Sequence, residues 1–118
     1  MKLPRTGMEW IVDAHGCSPA RLRSPHALAA IFKALVAELD LHPLGEANWH
    51  EFPGEAGVTG MLMLSESHVT CHTFPETGLA TFNLYCCRAR QDWPWERRLG
   101  EALEATRVSV RRIERGGE

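Results

Sequence analysis

Long apolar runs are missing from this 118-residue sequence. No stretch approaches the ~18 consecutive apolar residues that a membrane-spanning helix requires. The segment from Met1 to Gly7 also lacks the apolar centre of a secretory signal peptide. We therefore predict a cytoplasmic protein without a membrane segment.

A strong charge of either sign is missing as well. The chain has 13 Lys and Arg against 15 Asp and Glu, a formal net charge of -2, and its longest basic cluster is Arg111 and Arg112 with Arg115 nearby. A protein that binds nucleic acid or an anionic membrane presents a coherent basic face. Neither kind of partner is expected.

Glycine-rich nucleotide-binding motifs are absent: neither G-x-G-x-x-G nor G-x-x-x-x-G-K-[ST] occurs. A chain of 118 residues suffices for a single domain, 1–118, with one modest core. There is no room for a separate cofactor-binding domain. If the chain is an enzyme, we expect it to make its own reactive group or to share its site with a second copy.

The chain has four cysteines, at positions 17, 71, 86 and 87. Two disulfides are arithmetically possible, but adjacent residues such as Cys86 and Cys87 rarely bridge to each other without strain. Because a cytoplasmic protein usually keeps its thiols reduced, the relevant question is what these thiols do.

The apolar periodicity predicts a β-α-β-β-β-α-β order and a two-layer α/β (α+β) sandwich, with two helices on one face of a mostly antiparallel sheet. Ser24 is expected to cap the first helix, with Pro25 in its first turn, and Asp92 the second. The predicted strands span 8–15, 58–65, 68–74, 79–87 and 106–113, and the predicted helices 24–39 and 92–103.

The predicted strands 68–74 and 79–87, joined by a tight turn at 75–78, form an antiparallel hairpin. Period-2 alternation assigns the residues of this hairpin to two faces. Its core face would hold Val69, Cys71, Thr73, Ala80, Phe82, Leu84 and Cys86. His72 and Cys87 would lie on the opposite, polar face, where an imidazole and a thiol can act as an acid/base pair.

Two other readings of these residues stay open on the pattern alone. A histidine and a cysteine in neighbouring strands are often merely structural. Alternatively, imidazole and thiolate groups suit Zn²⁺, and the candidate ligands are His68, Cys71, His72, Cys86 and Cys87. Their alternation disfavours a metal site, because neighbouring candidates face opposite ways and no C-x-x-C motif is present.

The segment from Gly57 to Glu76 reads G-V-T-G-M-L-M-L-S-E-S-H-V-T-C-H-T-F-P-E. It closely resembles the processing segment of the small prokaryotic S-adenosylmethionine decarboxylase proenzymes, in which G-V-S-G and an apolar run precede E-S-H-x-x-x-H-T-W-P-E. The resemblance continues through Cys87 to Pro94-Trp95 and Arg107-Val108, so it covers most of the chain.

The resemblance implies self-cleavage between Glu66 and Ser67 into a β chain, 1–66, and an α chain, 67–118. Ser67 would become a pyruvoyl group, a self-made cofactor that forms a Schiff base with the substrate's amine and accepts the electrons released with CO₂. No metal is implied. The implied product of S-adenosylmethionine is the aminopropyl donor for spermidine synthesis.

The resemblance also implies roles for individual residues. His72 assists the elimination during processing, and Thr59 supports it by hydrogen bonding, in place of the family's serine. Cys87 returns a proton to the substrate carbon. The resemblance implies that Glu76 binds the ribose hydroxyls of the substrate. It also implies that the aromatic residues Phe52 and Phe74 bind the substrate. His68 belongs to the motif without an assigned role, and Cys17 has none.

Some positions depart from the family pattern. Phe74 replaces a tryptophan, Asn83 an aspartate and Arg88 a glycine, and the last two changes make the neighbourhood of a sulfonium-binding site more positive. A related pyruvoyl enzyme acting on arginine or ornithine is the first alternative, although an added arginine does not favour a dicationic substrate. An uncleaved, non-catalytic binding module is the second.

The resemblance further implies a homodimer, with Phe52 reaching into the partner's site. The predicted strand 58–65 is apolar on both faces, and no third helix is predicted to cover the second face of the sheet. A second copy would cover it.

Overall fold

The protein is described by a computed structural model that covers residues 7–54, 56–88 and 90–116. The strands are β1 (Gly7–His15), β2 (Asn48–Glu51), β3 (Val58–Met63), β4 (Ser67–Phe74), β5 (Leu79–Cys86) and β6 (Arg107–Arg115). The helices are α1 (Pro19–Leu22), α2 (Pro25–Glu38) and α3 (Trp95–Leu103), and a 3-10 turn spans Pro75–Thr77.

The six strands form one sheet in the order β2-β3-β4-β5-β1-β6, and every neighbouring pair is antiparallel. The helices and the core lie on one face, here called the inner face, and the opposite side is the outer face. This confirms the predicted α+β sandwich. Within the described part of the chain, no helix is long and apolar enough to cross a membrane.

Helix α2 forms where its sequence predicts. The Ser24 side chain accepts a hydrogen bond of 3.1 Å from the backbone N–H of Ala27, which satisfies one of the free donors at the helix start. Pro25 occupies the first turn, where its missing N–H costs nothing. The buried stripe consists of Leu28, Ile31, Phe32 and Leu35.

Asp92 does not cap α3, so that prediction is wrong. The helix begins at Trp95, and the carboxylate of Asp92 instead accepts hydrogen bonds from the Trp10 indole, at 3.0 Å, and from Arg112. The buried N–H of the Trp10 indole needs a hydrogen-bond acceptor, and Asp92 supplies it. This contact with β1 holds the carboxylate away from the start of α3.

Two short elements were not predicted, α1 and β2. The first carried a readable signal, because Ser18 caps it and Pro19 follows. Strand β2 is mostly polar, and tertiary packing holds it: the Trp49 ring stacks on Phe32 with centroids 5.1 Å apart. Gly60 makes room for that ring, since a Cβ there would lie 2.1 Å from it.

The faces of the hairpin follow the predicted alternation. Its predicted core residues are buried, with the exposed residues on the other face. Within one chain only the inner side of β3 is covered, so the predicted cover of its other face by a second copy stays a prediction. Met61 and Met63 are 52% and 62% exposed on the outer face.

Candidate active site

The predicted scissile bond lies in the tight turn between β3 and β4. Leu64 and Ser67 exchange backbone hydrogen bonds of 2.9 and 3.1 Å, so that only Ser65 and Glu66 form the turn. The carbonyl of Glu66 accepts a hydrogen bond of 2.9 Å from the backbone N–H of Cys87. The bond between Glu66 and Ser67 therefore occupies a defined place beside the end of β5.

The side chain of Glu66 is anchored on the other side of this turn. It is buried, at 9% exposure, and accepts one hydrogen bond of 3.0 Å from the backbone N–H of His42 and another from Nδ1 of the same residue. Arg90 lies 4.0 Å from the carboxylate. Burial opposes ionisation of Glu66, but the hydrogen bonds to its carboxylate, from His42 first and then from Ser65 and the Glu66 backbone, together outweigh burial and lower the pKa to about 2.

The four cysteines are free thiols, and the structure separates them by environment. Burial raises the pKa of Cys71 to about 12 and that of Cys86 to about 11, as expected for packing residues. Cys17 is also buried, and its thiol donates to the carbonyl of Ala14 at 3.6 Å. Cys87 alone is exposed.

The second group of predicted site residues lies at the other end of the outer face. Thr59 and His72 are opposite each other in β3 and β4, with Oγ1 and Nδ1 3.2 Å apart. Phe74 ends β4 and Glu76 follows in the 3-10 turn, both exposed. We call these residues, with Phe52, the His72 end of the sheet.

Phe52 is 48% exposed just after β2, where its ring contacts His50 edge-on with centroids 4.6 Å apart. Its backbone N–H donates to the carbonyl oxygen of Gly57, at 3.0 Å, across the turn between β2 and β3. One residue of that turn, Glu55, is outside the described residues. His50, opposite Thr59 in the β2–β3 register, is a polar neighbour that the sequence did not single out.

One chain does not bring the two groups together. Ser67 begins β4 and His72 is five residues further along the strand, a separation of about 17 Å at ~3.3 Å per residue. His72 is opposite Thr81, whereas Ser67 is opposite Cys86. The predicted pair of His72 and Cys87 shares a face of the sheet but occupies opposite ends of it.

Asn83 and Arg88, which depart from the family pattern, lie beside charged side chains. The Asn83 amide donates to Glu9 at 2.7 Å, so a carboxylate from β1 stands beside the position where the family has an aspartate. Hydrogen bonds from Asn83 and Arg115, with the charge of that arginine, lower the pKa of Glu9 despite some burial. Arg88 is exposed and lines a pocket of about 590 Å³ beside His42 and Glu66.

The candidate zinc ligands are not assembled. Cys71 and Cys86 are buried on the inner face, while His72 is exposed on the outer face. Among residues 7–54, 56–88 and 90–116, no three His, Cys, Asp or Glu side chains are grouped as a metal ion would need.

The fold and the site define a class: a small α+β protein with a serine directly after a tight turn, an exposed thiol beside that turn, and a histidine at the far end of the outer sheet face. The sequence model of the S-adenosylmethionine decarboxylase family matches residues 8–116 of this chain. The chain therefore belongs to the S-adenosylmethionine decarboxylase family, a family of carboxy-lyases. This confirms the family that the sequence predicts.

Individual relatives agree. The chain is 32% identical over 114 residues to the S-adenosylmethionine decarboxylase proenzyme of Caldicellulosiruptor saccharolyticus, covering 93% of this chain and 88% of that one. It is 30% identical to the proenzyme of Picrophilus torridus, covering 95% and 85%. A crystal structure of the adenosylmethionine decarboxylase from Aquifex aeolicus has the same fold, with a TM-score of 0.79, 24% identity and coverage of 97% and 93%.

Proposed function

We propose that this chain is a self-processing proenzyme that cleaves between Glu66 and Ser67 and then decarboxylates S-adenosylmethionine. The observation that carries the proposal is the geometry of the turn. The Glu66 carbonyl accepts the N–H of Cys87, and the Glu66 side chain is anchored by His42. A carbonyl held by a fixed donor is polarised toward attack, and no donor has to be reoriented.

The proposed cleavage needs only atoms of the chain and one water. The hydroxyl oxygen of Ser67 bonds to the carbonyl carbon of Glu66 while the C–N bond breaks, which exchanges the amide for an ester and frees the amine. Removal of the Ser67 Cα proton then expels the Glu66 carboxylate. Water hydrolyses the residue left behind with loss of ammonia, which produces chains 1–66 and 67–118.

We propose that this chemistry takes place in a homodimer. His72 and Thr59 form one half of the site and lie about 17 Å along the sheet from Ser67, so one chain does not complete it. The exposed apolar side chains of the outer face supply a surface for association: Phe52, Met61, Met63, Phe74 and Ile113 are 40–62% exposed. Two outer faces packed about a two-fold axis would place the His72 end of each copy against the cleavage turn of the other.

The residues around the turn fit a carbonyl cofactor made from Ser67. Ser67 is half-buried, and the only exposed thiol, that of Cys87, follows the strand opposite it. The pyruvoyl group supplies a carbonyl that binds the substrate's amine and accepts the electrons released as CO₂ leaves. Cys87 would then return a proton to the substrate carbon.

For the substrate, we propose that Phe52 and Phe74 contact the adenine and that Glu76 binds the ribose hydroxyls. All three are exposed at the His72 end. Glu9 keeps a carboxylate on the outer face beside Asn83, where it offsets the positive charge of Arg115. We place the reaction in the cytoplasm, since the free thiols suit a reducing compartment.

The test is mass spectrometry of the purified protein followed by an assay of CO₂ release. We expect two fragments, the second beginning with a pyruvoyl group, and release of CO₂ from S-adenosylmethionine in preference to arginine or ornithine. Ser67→Ala should stay intact. An intact wild-type chain after prolonged incubation would favour a binding module, and preferential turnover of arginine or ornithine would assign the site to that substrate.

A further inference from the structure

A line of hydrogen-bonded side chains crosses the sheet from β6 to the cleavage turn. Arg115 is 2.7 Å from Glu9, and the Asn83 amide donates to the other oxygen of Glu9, also at 2.7 Å. The Asn83 oxygen lies 3.2 Å from Nε2 of His68. Nδ1 of His68 lies 3.4 Å from the hydroxyl oxygen of Ser67.

The order of these contacts determines which imidazole nitrogen carries the proton. An ionised Glu9 can only accept hydrogen bonds, so the NH₂ group of Asn83 must face it. The Asn83 oxygen therefore faces His68, and the ring must donate to it from Nε2. In a neutral imidazole the other nitrogen, Nδ1, is then an acceptor, and it faces the Ser67 hydroxyl.

The plane of the ring is also fixed. The His68 ring stacks on the Tyr85 ring with centroids 6.0 Å apart and planes 25° apart, and these two residues are opposite each other in β4 and β5. Two side chains of β5, Asn83 and Tyr85, therefore hold the His68 ring in place. Its acceptor nitrogen, Nδ1, stays directed at the Ser67 hydroxyl.

We infer that His68 is the general base for the first step of processing, an assignment that rests on the proposed self-cleavage. Its Nδ1 takes the Ser67 hydroxyl proton as the oxygen bonds to the Glu66 carbonyl carbon. The same proton then passes to the Ser67 nitrogen as the C–N bond breaks, so the ring ends neutral. The 3.4 Å contact is long and would shorten on approach to the transition state.

This divides the work between two histidines. His68 adjoins Ser67 in its own chain and serves the exchange of amide for ester, whereas His72, from the second copy, serves the later elimination. Asn83 and Glu9 act as positioning residues, because they set the tautomer of His68 without contacting the reacting atoms.

The test compares His68→Ala with His72→Ala after cell-free synthesis of the full chain. Hydroxylamine cleaves an ester but leaves a peptide bond intact, so it reports which step is blocked. His72→Ala should accumulate a hydroxylamine-sensitive ester between Glu66 and Ser67. His68→Ala should form ester about 100-fold more slowly, the lower range for loss of a general base, and should resist hydroxylamine.

Thr70→Ala is the matched control, because Thr70 lies on the same face of β4 between the two histidines. It should process at the wild-type rate. Cleavage of His68→Ala at the wild-type rate, or collection of ester by that variant, would overturn the inference and leave the self-cleavage standing. A wild-type chain that never cleaves would refute the proposed function itself.

A second measurement does not depend on the His68→Ala variant folding. In uncleaved Ser67→Ala protein labelled with ¹⁵N-histidine, the imidazole nitrogen shifts distinguish the two tautomers. The His68 signals are identified by their loss in Ser67→Ala, His68→Gln. We expect the proton on Nε2, and a proton on Nδ1 of the neutral ring would contradict the inference.

Discussion

The backbone N–H of Cys87 donates a hydrogen bond of 2.9 Å to the carbonyl of Glu66. The residue proposed to protonate the substrate with its side chain therefore also holds the scissile carbonyl with its main chain. The two roles belong to different atoms and can be separated by substitution.

Cys87→Ala should accordingly cleave at close to the wild-type rate, because alanine keeps the backbone donor. Its decarboxylation should fall by about 100-fold or more, since the proton donor is lost. Mass measurement of the second fragment first confirms that the pyruvoyl end has formed, and CO₂ release is then compared with wild type. Normal turnover by the cleaved variant would remove Cys87 from the donor role.

The proposed site shared by two copies predicts complementation between inactive chains. Ser67→Ala lacks the cleavable serine and His72→Ala lacks the processing histidine, but a mixed dimer of the two contains one complete site. Co-expression should restore cleavage of the His72→Ala chain alone, to at most about half of its molecules if pairing is random.

The control replaces the first partner with Ser67→Ala, His72→Ala, which supplies no histidine and should give no rescue. Different mass tags on the two chains identify which one is cleaved. Failure of rescue in a verified mixed dimer, or full activity in a monomer, would show that the site does not need a second copy.

Two conservative substitutions test the proposed role of the Thr59 hydroxyl in processing. Its Oγ1 lies 3.2 Å from Nδ1 of His72. Thr59→Ser keeps the hydroxyl and should process normally, whereas the similarly shaped Thr59→Val should slow processing by about 10-fold, a loss of ~1.4 kcal/mol in the range for one hydrogen bond. Equal rates for the two variants would exclude a role for this hydrogen bond.

The pair formed by Glu66 and His42 predicts a pH window for the stability of uncleaved Ser67→Ala protein. The lowered pKa of Glu66, about 2, means that its stabilisation is present above pH ~4.5 and is lost as the pH falls toward 2. The hydrogen bond and charge of Glu66 raise the pKa of His42, so that contribution is complete below pH ~6.5 and is lost as the pH rises through the raised value.

Thermal unfolding across this range measures the effect. In the Ser67→Ala background, His42→Gln should lower the melting temperature by about 3 °C at pH 6 and by less at pH 9. His26→Gln is the matched control, because His26 is exposed on α2, and its melting temperature should follow the parent at every pH. A constant difference between His42→Gln and the parent at every pH would contradict the ionic pairing.

Alanine substitutions at two glycines should change the free energy of unfolding in opposite directions. A Cβ at Gly57 would lie 1.8 Å from the backbone oxygen of Thr73, so Gly57→Ala must force β3 and β4 apart near the His72 end. We expect a loss of about 1–3 kcal/mol, together with slower processing. Gly100→Ala meets nothing closer than 3.8 Å in α3 and should gain about 1 kcal/mol. Chemical denaturation measures both, and equal effects would contradict the packing described.

Local patterns carried much of the information about the fold. Ser24 and Pro25 predicted the start of α2, and alternation predicted which hairpin residues are buried, because both depend on neighbours within a few positions of the chain. Asp92 failed as a predicted cap, and β2 was missed, because the Trp10 indole and the Phe32 ring that hold these segments are distant in sequence.

The sequence by itself determined the family, the serine at position 67 and the division between packing and exposed thiols, because a dense motif and period-2 alternation are properties of the chain. Only the tertiary structure decided which of these residues meet. His72 lies five positions after Ser67 along an extended strand, so the two residues do not meet within one chain. The pairing of β1 with β5 brought Glu9 to Asn83, and through it determined the direction of His68.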